Sequence, residues 1–176
     1  DYGINDLWPE AVLKEAKTKK EHITKEIDAL ETFPFVTIDG EDAKDFDDAI
    51  FCKFSDHGFH LKVAIADVSF YIKDGSAIDL EAAKRTTSVY MPKKVVPMLP
   101  EKLSNELCSL QPNKRRRCLC IEMDFDKDGY ISSYKFHRGI IKSVARLTYT
   151  EVENHIIKGI EDSNYAESLI AAIALF

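Results

Sequence analysis

Hydrophobic residues recur along this chain with two periods, and each period predicts one kind of element. From Pro9 to Leu30 they recur at three-, four- and seven-residue intervals opposite a face rich in Lys and Glu, which predicts a helix along the outside of the domain. Ser76 carries a side chain preferred at the start of a helix, and it precedes one of the further predicted helices. These helices span residues 77–85, 101–110, 148–157 (beginning at Thr148 or Thr150) and 162–176.

Short runs of apolar, β-branched and aromatic residues between turn residues predict the strands. Pro34 forces extended backbone on Phe33 and leads into a strand that ends at Asp39. Two hairpins are predicted, from strands 49–54 and 59–66 and from strands 118–125 and 130–144. Residues 86–100 hold three prolines within nine positions, which predicts an ordered, irregular loop. This order of elements predicts an α+β fold, with a mostly antiparallel, mixed central sheet flanked by helices.

Composition narrows the class of protein. With 176 residues, 45% hydrophobic and 31% charged, the chain suits one soluble domain or a piece of a larger one. No apolar run is long enough to span a membrane and no signal-peptide pattern is present, so we expect a cytoplasmic protein. From the start at Asp1 and the apolar end at Phe176, we expect a cut from a longer protein. The four cysteines include no Cys-x-x-Cys pair, which favours buried free thiols over a metal or redox site.

Charge argues against one kind of nucleic-acid binding. The net charge of −6 has the wrong sign for a module that binds nucleic acid by bulk electrostatics, unless other domains supply a basic surface. The one basic run, residues 114–117, leaves two interpretations open, contact with phosphate or a solvated turn.

The most acidic stretch lies between two predicted strands. Residues 39–48 hold six carboxylates, which are Asp39, Glu41, Asp42, Asp45, Asp47 and Asp48. Carboxylates gathered in one concavity raise one another's pKa values or recruit a cation, and their oxygens suit Mg²⁺ or Mn²⁺. The simpler alternative is a solvated acidic loop. A short loop between the ends of two strands favours the pocket, because it brings those ends together.

Two further polar patterns are predicted to be structural. Asp124 to Gly129 matches the opening of an EF-hand calcium loop. The twelfth position is Lys135 instead of Glu and the flanks alternate like strands, so we expect a hairpin turn. His57 and His60 have no partner carboxylate in view, and we expect both on the surface.

The acidic stretch also carries a resemblance to a known family. The run from Thr37 to Ala49 resembles the catalytic motif of the RNB-domain exoribonucleases, the ribonuclease II/ribonuclease R family. The similarity continues through Tyr90-Met91-Pro92 and residues 98–110 to the end of the chain, and residues 40–43 and 146–149 favour the bacterial ribonuclease R branch. It implies a processive, hydrolytic 3′→5′ exoribonuclease that releases 5′-nucleoside monophosphates from single-stranded RNA. It also implies that residues 32–176 are the N-terminal half of an RNB catalytic domain. Residues 1–31, with their helical pattern, are then expected to be a helical lead-in.

The resemblance assigns roles to five residues. Asp39, Asp45 and Asp48 would hold Mg²⁺, with Mn²⁺ as a substitute, against the scissile phosphate. Asp47 would be the most rate-critical, since it would bind or position a second metal and the attacking water. Tyr90 would stack on the 3′-terminal base, where the simpler interpretation is a core tyrosine. A later acidic residue, a second aromatic, a Thr-Ser-Pro-x-Arg run and the cold-shock and S1 RNA-binding domains are expected elsewhere in the full-length chain, so the isolated chain is expected to be inactive.

Two other functions compete with this one. A non-catalytic RNA- or protein-binding module on a degenerate RNB fold would lack one or more of the loop aspartates. A general metal-dependent phosphohydrolase acting on small substrates would lack the stacking Tyr90.

Overall fold

The computed structural model describes residues 5–23, 28–92, 94–160 and 163–176. Their main feature is a seven-stranded sheet in the order β1-β8-β7-β4-β3-β2-β9. The strands are β1 (Asp28–Ala29), β2 (Val36–Asp39), β3 (Asp48–Ser55), β4 (Gly58–Ala66), β7 (Arg115–Asp126), β8 (Ile131–Lys142) and β9 (Ala145–Thr148). Only the pairs β1–β8 and β2–β9 are parallel, and the other neighbours are antiparallel. The predicted α+β fold with a mixed, mostly antiparallel sheet is confirmed.

Helices cover both faces of the sheet. They are α1 (Glu10–Thr18), α2 (Val68–Tyr71), α3 (Ala77–Arg85), a π-helix (Lys102–Leu107), α4 (Tyr149–Lys158) and α5 (Ala166–Leu175). On one face, Val12 of α1, Ile78 of α3 and Leu103 of the π-helix join the largest buried cluster, which also contains Phe51 of β3 and Ala64 of β4. On the opposite face, α5 packs on β3 and β4. The sheet is therefore buried on both sides where β3 and β4 cross its centre.

Both predicted hairpins are confirmed. Antiparallel pairing runs from Asp48–Ile65 to Ser55–Gly58 in the first and along most of β7 and β8 in the second. In the second turn, Gly129 has a φ of 83°, and the Asp126 side chain accepts hydrogen bonds from the turn backbone. The EF-hand-like run thus closes a hairpin, as predicted.

Three predicted helices begin at recognisable caps or have unexpected geometry. Ser76 accepts a hydrogen bond from the backbone N–H of Asp79 at the start of α3, and Thr148 with Glu151 forms a reciprocal capping box at the start of α4. The helix predicted over residues 101–110 is present as a π-helix, in which Cys108 N–H donates to the Leu103 carbonyl. The last helix begins at Ala166, later than predicted, and residue 162 of that prediction lies outside the described residues.

The long N-terminal helix is wrong beyond Thr18. The chain becomes extended at Lys19, and Asp28–Ala29 pairs with Gly139 and Ile140 of β8. Leu30 is buried because its N–H continues that pairing by donating to the Ile140 carbonyl. The regular apolar spacing therefore spans a helix and a strand, while residues 24–27 of the prediction lie outside the described residues.

The predicted irregular loop contains a second, small sheet. Strands β5 (Val89–Met91) and β6 (Lys94–Val96) pair antiparallel, with Tyr90 opposite Val95. Pro92 and Pro97 lie just outside the paired residues, where a missing N–H breaks no ladder hydrogen bond. The prolines therefore delimit this hairpin and do not prevent it.

Two further predictions concern cysteines and membranes. All four cysteines are free and buried, as expected. In the part of the chain that the structure describes, no helix has the length and apolar character needed to cross a membrane.

Candidate active site

The acidic loop, residues 39–48, joins two neighbouring strands at one end of the sheet. Asp39 is the last residue of β2 and Asp48 the first of β3, and these strands are antiparallel neighbours. On its other side, Asp39 is the register partner of Thr148 at the end of β9. The two ends of the loop are therefore brought together, as the sequence predicted.

Burial of Phe46 anchors the acidic loop between two of its carboxylates. Phe46 is 8% exposed and belongs to the largest core cluster. The backbone at residue 46 is therefore anchored in the core, with Asp45 and Asp47 on either side of it. Asp45 is half-buried and Asp47 exposed. One apolar residue inside the acidic run thus anchors it to the core.

A strand distant in sequence supports the start of the loop. Arg146 of β9 donates from Nη2 to the Gly40 carbonyl and to the Glu41 carbonyl, the latter at 2.8 Å. Its guanidinium lies 5.7 Å from the centre of the Phe46 ring. Thr150 donates from Oγ1 to Glu41 Oε1 at 2.6 Å. These contacts were missed by sequence reasoning, because they depend on β9 lying beside β2.

The loop aspartates interact electrostatically. Burial raises the pKa of the Asp47 carboxyl to about 6, and the negative charges of Asp45, Asp48 and Asp39 raise it in the same direction. Burial also raises the pKa of Asp39, followed by repulsion from Asp48. The carboxyl group of Asp47 is partly buried, but the residue as a whole is exposed, so water screens part of this repulsion. The four aspartates therefore lie close enough to influence one another's ionisation.

The donor set suits a hard divalent cation without forming a complete shell. Among the described residues, no three His, Cys, Asp or Glu side chains are placed to hold a metal ion together. Mg²⁺ keeps several waters in most protein sites and is commonly bound through one or two carboxylates. Asp39 Oδ2 is buried and has no hydrogen-bond partner in the described part of the chain, so it is a free ligand atom. The oxygen chemistry of these residues therefore fits Mg²⁺.

Tyr90 contacts the same loop. Its side chain is exposed (66%), and its hydroxyl donates to Asp45 Oδ2 at 3.0 Å. The alternative of a core tyrosine is therefore wrong. A cavity of about 700 Å³ separates the β5–β6 hairpin from the loop, and it is lined by Asp45, Tyr90, Met91 and Asn105 among others. Of the described residues, Asp39, Asp47 and Asp48 do not line this cavity, so these three aspartates lie beside it, whereas Asp45 and Tyr90 lie at its wall.

Two residues of the basic run, Arg116 and Arg117, lie neither in a solvated turn nor on a phosphate-binding surface. Both are only 6% exposed. Arg116 donates from Nε to the Ser109 carbonyl at 3.0 Å, and the Arg117 guanidinium lies 3.7 Å from the centre of the Phe70 ring. Asp67 is also buried and accepts a hydrogen bond from the Ser69 hydroxyl. These two arginines therefore support the fold and do not present a phosphate-binding surface.

The prediction for His60 is also corrected. His57 is exposed in its turn, as expected. His60 is half-buried and lies 2.7 Å from Asp124 Oδ1 and 2.9 Å from Glu122 Oε1, on the neighbouring strand β7. The carboxylates were not visible in the sequence because they are 62 and 64 positions away in the chain. His60 is part of a charged network on the sheet, at the turn end of β4.

The raised pKa of Asp47 predicts a pH-dependent stability difference. Its folded value of about 6 exceeds the ordinary 3.8, so the folded chain holds the proton more tightly than the unfolded chain. The contribution of Asp47 to stability is thus present below about pH 4 and is lost as the pH rises to about 6. We expect wild type to lose stability relative to Asp47→Asn over this range. Urea unfolding of both chains in metal-free buffer from pH 4 to 8 measures it, and parallel stability curves would contradict the assignment.

Comparison with known proteins identifies the class of this domain. The mixed sheet with a carboxylate-rich loop at one end belongs to an α+β domain. The RNB domain family matches residues 27–175, and the chain belongs to that family. Ribonuclease R of Escherichia coli strain K12 is 48% identical over 166 residues, which cover 92% of this chain and 20% of that protein. The chain thus spans about a fifth of the length of this relative.

Solved structures agree with this assignment. Mycoplasma genitalium RNase R in complex with double-stranded RNA superposes with a TM-score of 0.91 at 37% identity, covering 96% of this chain and 31% of that one. Yeast Ssd1, described as a pseudonuclease, has a TM-score of 0.74 at 22% identity, covering 88% of this chain and 20% of that one. The latter likeness concerns the fold alone, and it means that the fold does not by itself decide activity.

Proposed function

We propose that this chain is part of a Mg²⁺-dependent, processive 3′→5′ exoribonuclease that hydrolyses single-stranded RNA and releases 5′-nucleoside monophosphates. The observation that carries the proposal is the gathering of four aspartates in one loop, with the pKa of Asp47 raised to about 6 and with Asp45 accepting a hydrogen bond from the exposed Tyr90. Membership of the RNB family and the relationship to ribonuclease R support an exoribonuclease activity. We place the protein in the cytoplasm.

Each residue has a part in the proposed mechanism. Asp39, Asp45 and Asp48 are the residues that would hold one Mg²⁺, through one or two of their carboxylates at a time with waters completing its shell, and Asp47 would hold a second ion or its water. Bound metal would supply activation of water, polarisation of the phosphate and stabilisation of the leaving 3′ oxygen. Above about pH 6 the Asp47 carboxylate is mostly ionised even without metal, so it would be available to hold that ion or its water. Tyr90 stacks on the terminal base, and its hydrogen bond to Asp45 fixes the ring beside the loop.

Other parts of a longer protein complete the proposed site. RNA-binding domains and the rest of the catalytic domain would supply the phosphate-binding arginine and a basic surface, which the net charge of −6 on this chain does not favour. A solved RNase R from Mycoplasma genitalium is described in complex with ribose-methylated single-stranded RNA, which supports RNA as the partner. We therefore propose that the isolated 176-residue chain is inactive.

The test uses full-length protein and a 5′-labelled single-stranded RNA. With Mg²⁺ or Mn²⁺, we expect the labelled RNA to be shortened from its 3′ end with release of mononucleotides. We expect EDTA to stop the reaction. Internal cuts or EDTA-insensitive turnover would contradict the proposal. The 176-residue chain is assayed in parallel, and EDTA-sensitive RNA degradation by it would overturn the proposed inactivity.

The two competing functions are less well supported. A degenerate, non-catalytic RNB module is expected to have lost loop aspartates, and all four are present. A phosphohydrolase for small substrates has no need of an exposed aromatic ring at the cavity wall, where Tyr90 lies.

Replacement of Tyr90 tests the stacking role. Stacking on a base contributes about 1–3 kcal/mol, so Tyr90→Ala should raise the KM for RNA of the full-length protein about 5- to 150-fold. Tyr90→Phe is the matched control, because it keeps the ring and removes only the hydrogen bond to Asp45. Steady-state kinetics on single-stranded RNA measures both, and a KM within twofold of wild type for Tyr90→Ala would contradict stacking.

A further inference from the structure

One buried hydroxyl holds the backbone on both sides of Asp45. The Ser109 hydroxyl donates to the Lys44 carbonyl at 2.8 Å and accepts from the Phe46 N–H at 3.1 Å. Ser109 is completely buried and lies just after the π-helix, 65 and 63 residues from these partners. The next residue adds a third contact, because Leu110 N–H donates to the Phe46 carbonyl at 2.9 Å. Residues 109 and 110 therefore form a clasp around residues 44–46.

The clasp is itself fixed to the sheet. The Ser109 carbonyl accepts from Arg116 Nε at 3.0 Å, and Arg116 lies buried at the start of β7. The Leu110 carbonyl accepts from the buried Ser143 hydroxyl at 2.8 Å, between β8 and β9. This gives Arg116 a specific use, since it holds the residue that holds the acidic loop. The position of Asp45 is thus tied to the rigid sheet through Ser109.

We propose that Ser109 is a positioning residue that orients the Asp45 and Asp47 carboxylates by holding the peptide groups on either side of Asp45. This inference rests on the proposed nuclease function. Without the hydroxyl, the Phe46 N–H and the Lys44 carbonyl lose their partners in a buried site, so the backbone relaxes towards other hydrogen bonds. Relaxation rotates the carboxylates that flank Phe46. A misplacement of about 1 Å is enough to reduce a rate about a hundredfold.

The test compares two buried serines in full-length protein. Ser168 is the matched control, since it is also buried and accepts a hydrogen bond from a strand N–H, that of Cys52, at 3.0 Å, but it lies on α5, against the opposite face of the sheet. We expect Ser109→Ala to lower kcat at least about tenfold with the KM for RNA within twofold, and Ser168→Ala to keep kcat within twofold. We also expect the half-saturating Mg²⁺ concentration to rise only in Ser109→Ala.

Hydrogen exchange supplies a readout that does not depend on activity. The Phe46 amide should exchange at least about tenfold faster in Ser109→Ala than in wild type, and should be unchanged in Ser168→Ala. Ser109→Thr keeps the hydroxyl and should keep at least about half of the wild-type kcat. Ser109→Cys keeps the size of the side chain but weakens both hydrogen bonds, so its kcat should fall at least about fivefold. This variant keeps the test available if Ser109→Ala does not fold.

Two results would overturn the inference. The first is a kcat of Ser109→Ala equal to that of Ser168→Ala; if Ser109→Ala does not fold, Ser109→Cys takes its place in this comparison. The second is an unchanged exchange rate of the Phe46 amide when the hydroxyl is removed. Failure of the proposed function would look different, because wild-type protein itself would then show no EDTA-sensitive hydrolysis of RNA. The exchange comparison still tests the clasp in that case.

Discussion

Full-length protein carrying Asp47→Asn is expected to hydrolyse RNA at least about a hundredfold more slowly than wild type. The amide keeps the shape of the side chain but removes the negative charge and one anionic ligand oxygen. Metal activation of water contributes several kcal/mol to the rate, and each 1.36 kcal/mol corresponds to a factor of ten. Single-turnover hydrolysis of a labelled RNA in saturating Mg²⁺ measures the chemical step directly. A rate above about a tenth of wild type would show that Asp47 is not the central carboxylate.

The loss of rate must be separated from loss of the fold. Asp47 is repelled by Asp45, Asp48 and Asp39, so its neutralisation relieves strain and should leave stability at pH 7 equal to or above that of wild type. Asp56→Asn is the matched control, because Asp56 lies in the turn at the opposite end of β3 from Asp48. We expect it to keep both the rate and the stability of wild type. A destabilised Asp47→Asn protein would contradict the electrostatic description of the loop.

Features that depend on neighbours in the chain could be predicted from the sequence. The two hairpins follow from turn residues between alternating strands, and the capped starts of α3 and α4 follow from Ser76 and Thr148. The acidic loop could be placed between two strand ends for the same reason, since Asp39 and Asp48 directly adjoin apolar runs. In each case the signal and the structure lie within about ten residues of one another.

Contacts between distant segments could not be predicted in this way. Arg146 and Thr150 reach the acidic loop across more than a hundred residues, and Ser109 across more than sixty. Four consecutive cations at residues 114–117 have the same charge in the sequence, but their burial depends on which segments pack against β7. Arg116 contacts Glu21 and Ser109, and only the assembled sheet brings these partners together. The sequence therefore placed the acidic loop between its two strands, and the structure was needed to find the residues that hold it.

The largest effect on stability is expected from Phe35→Ala. Phe35 has no exposed surface, and the centre of its ring lies 6.5 Å from the centre of the Phe33 ring and 6.2 Å from the centre of the Phe51 ring. Truncation of a buried phenylalanine removes this packing and leaves a cavity, which costs about 3–5 kcal/mol. Because a domain of this kind is stable by about 5–15 kcal/mol, the loss is a large fraction of the total. Urea unfolding of the 176-residue chain should show the midpoint moving to a much lower denaturant concentration.

Phe54→Ala is the matched control for this prediction, since it removes the same atoms from an exposed position. Phe54 lies near the end of β3, with 56% of its surface exposed. Its replacement therefore removes mainly the contact with the Phe59 ring, which contributes about 0.5–1.5 kcal/mol. Phe35 also joins the sheet next to the site, because its carbonyl accepts from the Val144 N–H at 2.8 Å at the start of the β2–β9 pairing. A destabilisation of Phe35→Ala no greater than that of Phe54→Ala would mean that the ring cluster is not the core on which β2, and therefore Asp39, depends.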